Sequence, residues 1–403
     1  MTDEQIAMSE GTAPTLTPRV VWLSLLAILI SNFGFGLAFG GLAPLIALTL
    51  EDRGVSEGLI GANSSMAAIG IVCMALVMPR LMARFHAGIL LTVSLVGLTA
   101  LVSALPHVDS VVNWFIIRFV MGMGIAIPWV ISETWMSAIA PQRYRGQITA
   151  AYGSGVAAGF AAGPLILTFV GLDGAAGFYW SALFMGIAIF ATIVMSPFAP
   201  TLRKHEKSRL SGFALAAPTI FGAALLAGAL DTAVFSLMPV WGLRIGLEET
   251  AALTAVSIFI FGNLLLQLPV GWLGDRWGRR QTMILCGSIA TIGPLAVTLS
   301  VGSGWPMYAA LFLWGGFAWA LYTVSLAMIG ERYTGGMLTA ANAAFIMTFE
   351  ISNITVPPLA GLAMDLWEPH GFMATLCGLS LAFTVLVAVR GHARKSVEVC
   401  ETA

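Results

Sequence analysis

Apolar runs broken by short polar or charged punctuation fill the chain from Val20 to Val389. Twelve can be marked: Val20–Leu50, Gly58–Met78, Gly88–Leu105, Val111–Ala138, Gly146–Gly171, Gly177–Pro197, Gly212–Leu243, Thr250–Leu273, Gln281–Val301, Pro306–Gly330, Met337–Met364 and Gly371–Val389. Each reaches the roughly 20 residues that an α-helix needs to cross a hydrocarbon core about 30 Å thick, the third only just. Barrel strands would be about 10 residues long and would alternate in polarity, which these runs do not. The pattern therefore predicts an all-α polytopic membrane protein with twelve transmembrane helices.

Composition supports this reading. Of 403 residues, 58% are hydrophobic and 10% charged, with a mean hydropathy of +0.90. Soluble domains carry about 25% charged residues. The net charge of −1 says little about partners, because in a membrane protein the placement of charge matters; the bilayer is the expected partner of the surface and no nucleic acid is expected. Charge placement says more. With Met1 in the cytoplasm, Arg19, Arg80, Arg84, Arg143, Arg145, Arg203, Lys204, Lys207, Arg209, Arg276, Arg279, Arg280, Arg332, Arg390, Arg394 and Lys395 fall inside, and only Arg53 and Arg244 fall outside. A miscount by one helix would destroy this positive-inside bias, so the charges check the count as well as the orientation. Both termini are expected in the cytoplasm, with the chain in the bacterial inner membrane. The first residues carry Asp3, Glu4 and Glu10 and no basic n-region, so a cleavable signal peptide is not expected. Cys73, Cys286 and Cys377 lie inside apolar runs and Cys400 in the tail, with no metal or disulfide spacing.

The segment Arg203–Arg209 is the longest hydrophilic stretch between spans and divides six from six. The expected organisation is a tail at 1–19, a six-helix bundle at 20–198, a linker at 199–211, a second bundle at 212–390 and a tail at 391–403. The halves are related: Gly146–Ala151 and Gly336–Ala341 both open a span with similar residues, and Leu81 and Arg84 match Leu273 and Arg276 at nearly the same separation. Internal repeats of this kind are a mark of transporter folds.

The loop after the eighth span reads Gly271-Trp272-Leu273-Gly274-Asp275-Arg276-Trp277-Gly278-Arg279-Arg280. It resembles the signature G-x-L-x-D-R-x-G-R-[KR] of the major facilitator superfamily, and the chain is most similar to bacterial facilitators of the YcaD-like and drug-efflux type. The resemblance implies two pseudo-symmetric six-helix bundles with a cavity between them, spans 3, 6, 9 and 12 facing lipid, and alternating access. Glycines in this loop permit a tight turn, and Asp275 can form charge-assisted bonds with the arginines, a candidate gate. The first-half counterpart Pro79–His86 has Ala83 in place of the acid. Glu133 is the candidate to supply a carboxylate to Arg80, Arg84 or Arg145. Arg118–Gly124 is similar to the superfamily pattern R-x-x-x-G-x-G, whose arginine is associated with proton coupling. Gly155, Gly159, Gly163 and Pro164 resemble an antiporter-associated pattern. Glycines at that spacing make a flat helix face for close packing. Leu167 and Thr168 stand where that pattern has a further glycine pair.

Charged side chains within spans are costly and mark functional sites. Arg118, Asp231 and Glu350 are the proton-coupling candidates, because a carboxyl withdrawn from water holds its proton more readily. Candidate substrate contacts are Asn32, Phe35, Trp129, Asn263, Gln267, Trp314, Tyr322, Asn342 and Asn353. Pro357-Pro358 is expected to break the eleventh span. The chain has no G-x-x-x-x-G-K-[ST] cradle and no metal, haem or nucleophile constellation, so no cofactor and no enzymatic activity are expected. The favoured expectation is a monomeric, proton-coupled exporter of a small solute. The alternatives are a proton symporter importing an organic anion, with Arg118 as its contact, and a receptor or lipid-handling protein without net flux.

Overall fold

The computed structural model of the chain describes residues 18–171, 174–195 and 217–401. The expected linker at 199–211 lies outside the described residues, as do most of the N-terminal tail and the side chains of Arg145 and of the C-terminal tail. Twelve α-helices stand among the described residues. The first half holds α1 (Pro18–Asp52), α2 (Glu57–Arg84), α3 (Ala87–Ala104), α4 (Val111–Ile139), α5 (Arg145–Val170) and α6 (Ala176–Met195). The second holds α7 (Pro218–Arg244), α8 (Glu249–Trp277), α9 (Arg279–Leu299), α10 (Trp305–Arg332), α11 (Gly335–Leu366) and α12 (His370–Glu401). Each contains a stretch long and apolar enough to cross a membrane. They run alternately between a basic face, with Arg80, Arg84 and Arg276, and an acidic face, where Glu51, Glu57, Asp365 and Glu368 gather.

Lipid tails give no hydrophobic drive between helices, so close backbone approach has to hold them together. Small residues supply it at matching places in the two halves. In α2–α4, Gly122 lies against the Ala67 backbone, and in α8–α10, Gly315 lies against the Phe259 backbone. In α1–α5, Gly159 lies against Phe33 and Gly36, and in α7–α11, Gly228 lies against Phe349. Apolar side chains on α3, α6, α9 and α12, such as Val93, Phe190, Leu299 and Val385, are left exposed as a lipid-facing surface.

Two helices continue past charged or proline punctuation. α12 runs beyond Val389, because charge ends a membrane crossing without ending a helix. α11 passes through Pro357 and Pro358 unbroken. Pro357 has no N–H to give the Asn353 carbonyl one turn back. The Ser65 hydroxyl on α2, bonded at 3.1 Å to the Gly61 carbonyl of its own helix, also comes within 3.4 Å of that oxygen, so a neighbouring helix partly serves the freed group.

The glycine pattern of α5 divides. A Cβ on Gly159 would stand 2.6 Å from the Phe33 carbonyl oxygen, whereas one on Gly155 would meet nothing within 4 Å. Gly159→Leu should therefore sharply lower the yield and melting temperature of detergent-solubilised protein. Gly155→Leu should leave both near wild type, and equal effects would refute this packing.

Candidate functional site

Among the described residues the bonded contacts between the halves gather at the acidic face and at mid-depth, while Trp129 and Glu133 nearer the basic face are exposed, which marks a cleft between the halves on that side. Its first-half wall comes from α1, α4 and α5. Asn32 is buried, donating from Nδ2 to the Ile28 carbonyl (2.8 Å) and accepting at Oδ1 from the Tyr152 hydroxyl (3.4 Å). Trp129 and Glu133 lie one turn apart on α4 and are exposed. Glu133 nonetheless lies within electrostatic reach of Tyr152 on α5 and of Tyr322 on α10 in the opposite half, so its exposure is to the cleft.

The second-half wall is aromatic and acidic. Tyr322 meets Phe345 and Phe349 edge-on, with ring centroids 5.1 and 5.5 Å apart, and Trp319 backs Phe349. The carboxyls of Glu133, Glu350 and Asp231 all act electrostatically on Tyr322. Asp231 sits mid-helix in α7, not near a mouth of the protein. Asn353, buried, joins this wall together: its Oδ1 accepts from the Thr232 hydroxyl (2.8 Å), and its Nδ2 donates to Glu350 Oε2 (3.4 Å). Thr232 follows Asp231 directly, so the bonded chain from Glu350 ends one residue along α7 from the second acid of this half.

Beyond these acids the cleft is closed. Phe160 of α5 meets Phe235 of α7 across the halves at 5.5 Å, and the Ser65–Asn353 contact lies at the same closure.

Other candidates lie elsewhere. Trp314 is fully buried against Phe259 (4.9 Å) inside the α8–α10 packing, and Phe35 packs on Phe39 in the core. Gln267 donates to Thr323, fastening α8 to α10 (2.9 Å). Asn263 and Asn342 are half-buried, the latter with Oδ1 unpartnered. Arg118 is buried with Nε unpartnered and has no ion pair among the described residues. The arginine and the three acids are thus separate features.

The signature loop builds a tie within one half. Gly278 takes φ +92°, a left-handed conformation that favours glycine and turns α8 into α9. Arg279 then pairs with Asp275 (2.7 Å) and with Glu331 at the end of α10 (3.0 Å), while Arg280 donates to the Ala388 carbonyl of α12 (3.0 Å). Arg276 lies over the Trp272 ring, and Gly271 faces open space. Across the first-half turn, Arg80 and Arg84 are exposed, and among the described residues neither pairs with Glu133. There His86 caps α3 instead, its Nδ1 accepting from the Gly88 N–H (3.2 Å).

Sequence reasoning passed over Tyr152, Thr232 and Ser65, since a lone hydroxyl in an apolar run carries no signal until its partner is known. It also passed over Arg244, although a visible signal existed: Arg244 is one of two basic residues that defy the charge bias.

The sequence matches the family model of the Major Facilitator Superfamily over residues 28–253 and again over 220–399. It is 26% identical over 364 residues to the MFS-type transporter YfkF of Bacillus subtilis, covering 85% of this chain and 89% of that protein. It is 22% identical to the MFS-type transporter YcaD of Shigella flexneri, covering 71% and 74%. Similar solved structures are a mutant of the nucleoside transporter NupG (TM-score 0.75, 14% identity, covering 92% of this chain and 99% of that one) and a D-xylose-proton symporter (TM-score 0.69, 15% identity, 91% and 97%).

A double-mutant cycle of Thr232→Val and Asn353→Ala tests the polar chain. Unfolding in detergent should give a coupling of about 0.6 kcal/mol, the usual value for such bonds between membrane helices. Strictly additive effects would contradict the bond.

Proposed function

Because the chain belongs to the Major Facilitator Superfamily, we propose that it is a proton-coupled secondary transporter exporting a small amphipathic organic solute from the cytoplasm across the bacterial inner membrane. Secondary transport of a solute follows from the family. The basic face is taken as cytoplasmic because the arginines gather there. The cleft then faces the cytoplasm, where an exporter collects its solute.

The observation that carries the reading is that Glu350, bonded through Asn353 to Thr232 beside Asp231, and Glu133 of the opposite half all lie within electrostatic reach of Tyr322. Among the described residues, none of the three is ion-paired to a cation. Three carboxylates on aromatic walls make a negative, partly apolar space. It would accept protons, or an amphipathic solute that is neutral or positively charged, at one set of groups. Competition between a proton and a solute for shared carboxylates is sufficient for antiport. The glycine face of α5 supports export through the antiporter-like pattern. Uptake of an organic anion is disfavoured, since an anion in this cleft would meet three acids, while Arg118 is buried without contact to any of them.

In proteoliposomes, solute flux should follow an imposed pH gradient and fall when that gradient is collapsed. Asp231→Asn and Glu350→Gln should each flatten the pH dependence by on the order of tenfold, about 1.4 kcal/mol of lost coupling. Flux that ignores the gradient would defeat proton coupling. Full pH-dependent flux in both variants would remove these residues from the site. Asp275→Asn should change the rate of conformational exchange read by accessibility labelling, and an unchanged rate would deny the signature loop a gating part.

A further inference from the structure

At the acidic face one guanidinium meets carboxylates from both halves. Arg244, at the end of α7, reaches Glu51 at the end of α1 (2.6 Å) and Glu57 at the start of α2 (2.7 Å) through Nη2. Its Nη1 reaches Glu368, just beyond α11, at 2.9 Å. The side chains of Glu51 and Glu57 are 14% and 8% exposed, so these pairs are far less screened by water than a surface ion pair. A second joint lies beside them. Asp365 of α11 accepts from the Glu57 N–H (2.9 Å) at Oδ1 and from the Gly58 N–H (3.0 Å) at Oδ2. The free N–H groups that begin α2 are therefore capped by a carboxylate of the opposite half, where the helix dipole favours negative charge. Ser56, the residue in the capping position, supplies no side-chain bond. Gly58 leaves room for this contact, since a Cβ there would stand 2.9 Å from Asp365 Oδ2.

We propose that Arg244, Glu51, Glu57 and Asp365 form the latch that holds the acidic face shut, with Glu368 positioning the guanidinium from its own half. The ion pairs of the signature loop, Asp275–Arg279–Glu331, lie within one half and cannot hold two halves together. The latch joins them directly. Beneath it, Gly361 lies on the Glu57 backbone and Gly61 on the Pro357 backbone, so the helices touch without interlocking side chains and can part there. One level further in, the Ser65 hydroxyl has a second acceptor in its own helix, the Gly61 carbonyl at 3.1 Å. On separation Ser65 keeps a partner, Arg244 keeps Glu368, and the charges left unmatched are Glu51, Glu57 and Asp365. These three lie at the face that opens to water, which makes the opened state reachable.

The consequence for transport rests on the alternating-access reading, but the test needs no solute and stands apart from it. Spin labels at Asp52→Cys and Glu249→Cys, in a background without the native cysteines, report the distance between the acidic ends of α1 and α8 in nanodiscs by pulsed electron resonance. The unmodified latch should give one short distance. Arg244→Gln should raise a longer-distance population by about tenfold, and Arg244→Lys should fall between. Asp365→Ala, which removes both acceptors of the α2 N–H groups and keeps Arg244, Glu51 and Glu57, should move the population the same way and serves if Arg244→Gln does not fold. Distances unchanged from wild type in the folded variants would overturn the latch, even if solute flux proves exactly as proposed. Lengthened distances with no proton-coupled flux would support the latch and count against the transport reading alone.

Discussion

The Asn353 carbonyl oxygen is the group on which the architecture turns. In hydrocarbon a backbone carbonyl without a donor is expensive, and Pro357 deprives this one of its helical partner. The Ser65 hydroxyl, whose shorter bond is to the Gly61 carbonyl of its own helix, shares its hydrogen with this oxygen from the other half, so a defect in α11 becomes a weak joint between α2 and α11. The same residue's side chain connects Thr232 and Glu350. One asparagine therefore couples the contact between the halves to the acids of the cleft. A change in how the halves meet at Asn353 bears on the surroundings of the Glu350 carboxyl, the kind of physical link that the proposed proton coupling needs.

Movement also requires each half to stay intact. In the second half the arginines of the signature loop bind α8, α9, α10 and α12 to one another, giving a body that can rotate as a unit. The first half lacks the acid of that loop and relies on backbone packing, with Gly159 and Gly122 letting α1, α2, α4 and α5 meet at short range. Close-packed interiors transmit displacement rather than absorb it. The asymmetry of the two loops thus has a structural meaning: both halves are held by glycine contacts at depth, and the second is tied by charge at the basic face as well.

The fold was legible in the sequence because a bilayer leaves few solutions. Run length gave the spans, and charge bias checked their number. Hydropathy placed the α12 crossing well, at His370–Arg390, but not the end of its helix, since it reports where lipid ends and not where a helix ends. The site was legible in part. Asp231, Glu350 and Glu133 stood out as charges in apolar runs, but their convergence on Tyr322 depends on helix rotations that one sequence does not disclose. Trp314 and Phe35 looked like ligand contacts and lie in the packing, because an aromatic side chain reads alike on either face of a helix. Arg244 was conspicuous by its side of the membrane, yet its partners Glu51, Glu57 and Asp365 come from three distant segments that only the tertiary fold assembles.

The central claim is that the cleft holding Glu133 opens at the basic face and is shut at the acidic one. The most direct measurement is modification of Trp129→Cys, in a background without native cysteines, by a membrane-impermeant thiol reagent in oriented membrane vesicles. The account predicts rapid labelling in inside-out vesicles, where the cytoplasmic face meets the reagent, and slow labelling in right-side-out ones. Rapid labelling only in right-side-out vesicles would contradict it.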